Sequence, residues 1–126
     1  MLELGVIFGS RAAEHDVSVI SGLQILENAD KSKYHSFPIY ISRTGEWFIG
    51  EPLRDIKTYR NFNPDQKGLM RVFLPAEPGH NGLYTFGSGL FGKMQKAAAL
   101  DCAILAMHGM HGEDGTLQGL FELADI

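Results

Sequence analysis

The sequence predicts a single α/β domain whose sheet is mainly parallel and flanked by helices, with an antiparallel hairpin insertion. Two observations predict this class. At each end of the chain, a short apolar run leads into a glycine-rich loop and then into an amphipathic helical pattern, which is the repeating unit of parallel sheets. Between these two units, apolar runs separated by a short polar segment are typical of a hairpin.

The composition sets limits on the partners and on the compartment. The 126 residues are enough for one domain and carry a formal net charge of −4. This mildly acidic balance argues against nucleic acid as the main partner, because phosphate binding requires a basic surface. The single cysteine, Cys102, cannot form an internal disulfide, which favours a reducing compartment such as the cytoplasm. No apolar run approaches the roughly 20 residues of a membrane-spanning helix, so no membrane partner is expected.

The first unit spans residues 4–28. The apolar run 4–8 lies between glycines and predicts a strand that is covered on both faces. Residues 9–13 form the loop, and a helical period follows over 14–28. The apolar face of this helix is predicted to hold residues at i, i+4 and i+7 and one flanking residue: Val19, Leu23, Leu26 and Ile20.

The middle of the chain is less regular. Residues 37–41 and 47–49, joined by a polar turn, predict the hairpin. Four prolines interrupt residues 50–100, and no long periodic stretch survives there. Short strands are predicted at 72–74 and 83–86, and a short helix at 93–100.

The second unit begins with a buried-strand run at 102–107 and a polar, glycine-rich loop at 108–115. A helix follows, with apolar residues at i, i+3, i+4 and i+7: Leu117, Leu120, Phe121 and Ala124. In open parallel sheets, ligands bind beyond the carboxyl ends of the strands. If the two terminal strands are neighbours, the loops 9–15 and 108–115 converge on one crevice.

Three residues of these loops and of the first helix are candidates for that crevice. Glu14, at the start of the helix, either binds a ligand cation such as an ammonium or is simply favoured there by the helix dipole. Val17 and Ser18, one turn further on, would border the same site. The hydroxyls of Ser18 and Ser21 are nucleophiles only in principle, because helical serines are usually just polar positions.

His108 directly follows the second strand. It either forms hydrogen bonds with a substrate or is satisfied by neighbouring backbone groups. His111 and Glu113 close behind it invite a metal interpretation, but their spacing matches no tetrahedral signature, and no metal is expected.

The segment 87–92 matches the G-x-G-x-x-G pattern of dinucleotide-binding loops. The pattern also requires an acid about 20 residues further on, at the end of the next strand, and none stands there. The near match to a phosphate-binding loop fails at Met94, where magnesium requires Ser or Thr. A glycine-rich surface turn accounts for the segment better.

The two end motifs together resemble the D-alanine–D-alanine ligase family. Residues 5–18 (GVIFGSRAAEHDVS) look like the opening of these enzymes, and residues 108–123 (HGMHGEDGTLQGLFEL) look like their second signature. The sequence differs from the family pattern at two positions of the first loop: Ser10 stands where a glycine is usual, and Ala12 stands where Ser or Thr is common. Neither difference affects Glu14 or His108, so both concern only the geometry of the loop.

The resemblance implies a pre-ATP-grasp, Rossmann-like fold and one domain over residues 1–126, the N-terminal substrate-binding domain of a three-domain ligase. Such ligases form D-alanyl-D-alanine for peptidoglycan through an acyl phosphate. Because ATP and Mg²⁺ bind to the other domains, we expect this chain to lack their sites and to be inactive alone.

The resemblance also implies the roles of individual residues. Glu14 matches a glutamate that binds the ammonium of the first D-alanine and helps to orient groups of the central domain, which gives it a catalytic role as well. His108 matches a histidine near the same substrate, and Val17 matches an apolar contact for its methyl group. Family members commonly form homodimers, and we expect one here.

Three alternatives stay open. The nearest is a ligase that uses D-serine or D-lactate as the second substrate, and another is a nicotinamide-dinucleotide-binding oxidoreductase domain built on residues 87–92. The third is a ligand-binding module with no chemistry of its own.

Overall fold

The computed structural model describes residues 1–10, 15–86, 94–106 and 126. Within these residues the chain forms one α-helix, seven strands and two short 3-10 helices. In chain order, the strands and the α-helix are β1 (Leu2–Gly9), α1 (His15–Asn28), β2 (Tyr34–Ile41), β3 (Trp47–Ile49), β4 (Met70–Phe73), β5 (Gly82–Thr85), β6 (Gln95–Ala99) and β7 (Cys102–Leu105). The 3-10 helices, Glu51–Arg54 and Ile56–Tyr59, lie between β3 and β4.

The strands form one mixed sheet in the order β6-β5-β4-β3-β2-β1-β7. The two pairings of β1, with β2 and with β7, are parallel, whereas the other four pairings are antiparallel. The α/β class is therefore confirmed, but the prediction of a mainly parallel sheet is wrong. Residues 42–46 and 74–81 connect β2 to β3 and β4 to β5, and they are too short for the dozen or so residues of a parallel crossover.

Most predicted elements of the chain are present. β1, α1 and β7 coincide with the units predicted at the two ends, and β4 and β5 overlap the two short strands predicted in the middle. The predicted hairpin is also confirmed, because β2 and β3 pair antiparallel with Ile41 opposite Trp47. The helix predicted beyond residue 115 lies outside the described residues.

The helix predicted at 93–100 is wrong. Residues Gln95–Ala99 are strand β6, which pairs antiparallel with β5 at the edge of the sheet. Lysine, glutamine and alanine favour helices intrinsically, but pairing with a neighbouring strand overrides such a preference. A dinucleotide fingerprint requires a strand followed by a helix, so β6 removes the context that the segment 87–92 would need. That segment itself lies outside the described residues.

Apolar side chains cover both faces of β1, as the sequence predicts. Ile7 packs in a cluster on one face of the sheet, and Val6 and Phe8 pack in a cluster on the other face, all with 0% exposure. Helix α1 covers the second of these faces through Val19 and Leu26.

The prediction for the buried face of α1 was wrong at one residue. Ile20 is 52% exposed, although it was placed on the apolar face. The helix buries five residues, spaced i, i+3, i+4, i+7 and i+11, of which several are small or polar: His15, Ser18, Val19, Gly22 and Leu26. Gly22 lets the helix approach β1 closely, because a Cβ atom there would lie 2.4 Å from Phe8 Cδ1. The helix therefore lies against the end of β1 from which the first loop leaves.

Candidate functional site

The carboxyl ends of β1 and β7 lie side by side. The two strands pair in parallel from Leu4 opposite Cys102 to Ile7 opposite Leu105. The backbone N–H of Ala106 then donates a hydrogen bond to the carbonyl of Ile7 at 2.8 Å. The terminal strands are therefore neighbours, which was the condition for the two loops to leave from one edge of the sheet.

The end of β1 turns sharply towards the first loop. Gly9 and Ser10 both have positive φ values, 98° and 83°, and the N–H of Ser10 donates to the carbonyl of Ile41 at 2.7 Å. Glycine adopts this conformation readily, whereas a non-glycine residue is strained there by about 1–3 kcal/mol. The sequence departure at Ser10 thus falls on a residue whose backbone conformation favours the usual glycine.

Ser18 ties the helix to both strand ends. Its side chain is fully buried, and its Oγ accepts a hydrogen bond from the N–H of Gly9 at 2.9 Å while its hydroxyl donates to the carbonyl of Ala106. We call the group of Gly9, Ser18 and Ala106 the strand-end junction. Ser18 was predicted to border the crevice, but as a polar helical residue with no structural role.

A further group of hydrogen-bonded polar side chains fixes the first turn of α1. His15 is 3% exposed, its Nε2 lies 2.7 Å from the hydroxyl of Tyr40, and its Nδ1 lies 3.1 Å from Asp16 Oδ1. Arg43 donates to the same carboxylate oxygen at 2.8 Å. The hydrogen bond with His15, supported by the Arg43 guanidinium, lowers the pKa of Asp16. Because Tyr40 belongs to β2, these hydrogen bonds join α1 to a third strand end, and no sequence pattern predicted them.

A cleft of about 710 Å³ opens beside this group of hydrogen-bonded side chains. It runs between α1, the β2–β3 turn and the segment after the second 3-10 helix. Its lining includes His15, Arg43 and three aromatic residues, Tyr40, Tyr59 and Phe62. These aromatic rings pack edge to face, with centroids 4.8 Å apart for Tyr40 and Phe62 and 5.0 Å apart for Tyr40 and Tyr59.

Stability should decrease at alkaline pH because of Tyr40. Burial raises the pKa of Tyr40 from 10.0 to about 12, so the folded state holds the phenolic proton more tightly than the unfolded state. The resulting stabilisation, about 2–3 kcal/mol, is complete below pH 10 and is lost as the pH rises towards 12. Urea unfolding at pH 9, 10 and 11 should show this decrease.

The variant Tyr40→Phe should flatten the pH dependence, while Tyr34→Phe in the same strand should retain it. An unchanged slope in Tyr40→Phe would assign the alkaline loss to other groups. Tyr59 is one such group, because burial raises its pKa as well.

Of the predicted site residues, Val17 is described. Its side chain lies on the first turn of α1 and is 54% exposed, and its role as a substrate contact stays a prediction. Glu14 and His108 lie outside the described residues, so the roles implied for them stay predictions. His111, Glu113 and Asp114, to which no role was assigned, lie outside the described residues as well. Glu14 is nevertheless joined directly to the buried His15, and His108 follows Ala106 by two residues.

The described residues contain neither a cluster of metal-ligating side chains nor a membrane-spanning helix. Across residues 1–10, 15–86, 94–106 and 126, no group of three or more His, Cys, Asp or Glu side chains could hold a metal ion. In the same part of the chain, no helix has the length and apolar character that crossing a membrane would require.

Known proteins resemble this chain over its whole length. The sequence model of the family described as D-ala D-ala ligase N-terminus matches residues 3–126. A D-alanine–D-alanine ligase of Thermosipho melanesiensis is 36% identical over 126 residues, which are 100% of this chain and 33% of that protein. The chain therefore spans about one third of the length of the curated relatives it matches.

Solved structures agree with this assignment. The VanG D-Ala:D-Ser ligase from Enterococcus faecalis superposes with a TM-score of 0.79 at 32% identity, covering 99% of this chain and 34% of that one. The D-alanine-D-alanine ligase from Coxiella burnetii has a TM-score of 0.72 at 26% identity, covering 98% and 34%. From its sequence and its fold together, the chain belongs to the D-ala D-ala ligase N-terminus family.

Proposed function

We propose that residues 1–126 are the N-terminal substrate-binding domain of an ATP-dependent D-alanine–D-alanine ligase. One structural observation carries the proposal. β1 and β7 end side by side; in the sequence, the first signature runs through β1 and on past its end, and the second begins two residues after Ala106. An acid from one segment and an imidazole from the other can therefore serve one small zwitterionic substrate.

In this proposal, the first D-alanine is held by charge and by shape. The Glu14 carboxylate binds the ammonium group, His108 forms a hydrogen bond near the same molecule, and the exposed side chain of Val17 contacts the methyl group. Holding the ammonium fixes the direction in which the substrate carboxylate points, and such orientation lowers the barrier of the following step.

The chemistry takes place at the carboxylate of that substrate. Phosphorylation of the carboxylate gives an acyl phosphate, and the amine of a second D-alanine attacks the acyl carbon and releases phosphate. ATP and Mg²⁺, which supply the phosphoryl group and neutralise its charge, are bound by the other domains of the ligase. The 126-residue chain alone is accordingly inactive, and the ligase acts in the cytoplasm as a homodimer.

The second substrate has one serious alternative. The similar structure from Enterococcus faecalis is a D-Ala:D-Ser ligase, so D-serine is a candidate besides D-alanine, and D-lactate is a further one. The other domains make most of this choice. The residues proposed for the first D-alanine are the same in each case.

The test is ligation by a full-length ligase that carries residues 1–126. With ATP, Mg²⁺ and D-alanine, it should release phosphate and form D-alanyl-D-alanine, identified by its mass, whereas the 126-residue chain should form none. Offering D-serine and D-lactate in competition identifies the second substrate. Failure of D-alanine to stimulate phosphate release would contradict the proposed function, and a mixed product would support the alternative ligases.

A further inference from the structure

We propose that Ser18 is a positioning residue for the first D-alanine, acting through the strand-end junction. This inference rests on the proposed function and goes beyond it, because Ser18 is not among the residues assigned to the substrate. The single hydroxyl of Ser18 bridges the carboxyl ends of β1 and β7, from which the chain continues to the proposed substrate residues.

Three sets of hydrogen bonds hold the backbone around the strand-end junction. The N–H of Ser10 donates to Ile41 of β2 at 2.7 Å, and the N–H of Ala106 donates to Ile7 of β1 at 2.8 Å. These two bonds join β1 to its two parallel neighbours. Ser18 adds the third tie, because it bonds to Gly9 and Ala106 together and so links α1 to β1 and β7.

The Ser18 hydroxyl is shielded from solvent. Its side chain is 0% exposed, so its bonds to Gly9 and Ala106 lie in the interior of the domain. Gly22, one turn further along α1, allows the helix to press against Phe8 and brings Ser18 within reach of both strands. Removal of the hydroxyl would leave the N–H of Gly9 and the carbonyl of Ala106 without this partner, and buried backbone groups rarely stay unpaired.

The junction is close in sequence to both proposed substrate residues. Glu14 is four residues before Ser18, and His108 is two residues after Ala106. We expect a shift at the junction to be transmitted through these short connections to both substrate residues. A misplacement of about 1 Å can cost about 100-fold in rate. Because both proposed substrate residues are close to the junction in sequence, the loss should fall on the use of D-alanine. ATP binds elsewhere in the ligase and should be unaffected.

The experiment measures steady-state kinetics of a full-length ligase that carries Ser18→Ala, with KM determined separately for the first D-alanine and for ATP. We expect KM for the first D-alanine to rise by about 10- to 100-fold, with KM for ATP unchanged within about twofold. Ser18→Cys keeps nearly the same volume and a weak hydrogen-bonding group, so it should give an intermediate KM. If Ser18→Ala does not fold, the KM of Ser18→Cys decides.

The matched control is Val72→Ala, which removes buried apolar volume in β4, three strands away from β1. It should lower the unfolding temperature while leaving both KM values unchanged. If Ser18→Ala behaves like this control, Ser18 is structural only and the inference is wrong. If the wild-type ligase does not use D-alanine at all, the proposed function fails, and the inference that rests on it falls with it.

Discussion

Replacing Glu14 with glutamine in a full-length ligase is expected to reduce kcat/KM for the first D-alanine by about 100- to 1,000-fold. Glutamine keeps the shape of the side chain but removes the negative charge that pairs with the substrate ammonium. Loss of one partner from a desolvated ion pair typically costs about 2–5 kcal/mol, and each 1.4 kcal/mol corresponds to about tenfold. The measurement is initial rate against D-alanine concentration at saturating ATP.

The matched control for Glu14→Gln is Glu27→Gln, because Glu27 is an exposed acid near the other end of α1. The same loss of charge there should change kcat/KM by less than about twofold, since exposed charges far from the site are screened. Unchanged kinetics in Glu14→Gln would remove Glu14 from the substrate site, and an equal loss in both variants would point to net charge instead. A loss confined to Glu14→Gln supports the direct contact.

The parts of the fold that could be predicted have strong local patterns. β1 is a continuous apolar run buried on both faces, and α1 has a helical period, so both were found with nearly correct bounds. Whether neighbouring strands run parallel or antiparallel could not be predicted from such patterns, because it depends on which strands pair. Residues Gln95–Ala99 show the difficulty, since their composition favours a helix whereas their antiparallel pairing with β5 makes them a strand.

The sequence predicted which strand ends border the candidate site, but not the buried hydrogen bonds that hold those ends. The sequence placed the two loops at the ends of the terminal strands, and those strands are neighbours. It did not predict that His15 is buried, and it placed Ser18 at the border of the crevice without predicting that this serine joins the strand ends. Neither residue belongs to a periodic pattern of large apolar side chains. The buried face of α1 has a regular helical spacing only when its small and polar residues are counted together with the apolar ones.

Gly9→Ala is expected to be among the most destabilising single substitutions near the site, lowering the free energy of unfolding by about 2–5 kcal/mol. Gly9 has φ of 98°, and a Cβ atom there would lie 2.2 Å from the carbonyl oxygen of Ile41. The same carbonyl accepts the bond from Ser10, so relieving the collision would break that bond. Urea unfolding of wild type and variant measures the loss.

Gly79→Ala separates the two causes of this loss. Gly79 has nearly the same φ, 95°, but an added Cβ atom would have nothing within 4 Å. This control should therefore cost only the backbone strain, about 1–2 kcal/mol, and the remainder in Gly9→Ala would measure the collision with β2. Equal losses in the two variants would mean that the end of β1 moves freely enough to accommodate a side chain. A rigid strand-end junction would then be excluded, because Gly9 is one of its three members and could not shift without breaking its bond to Ser18.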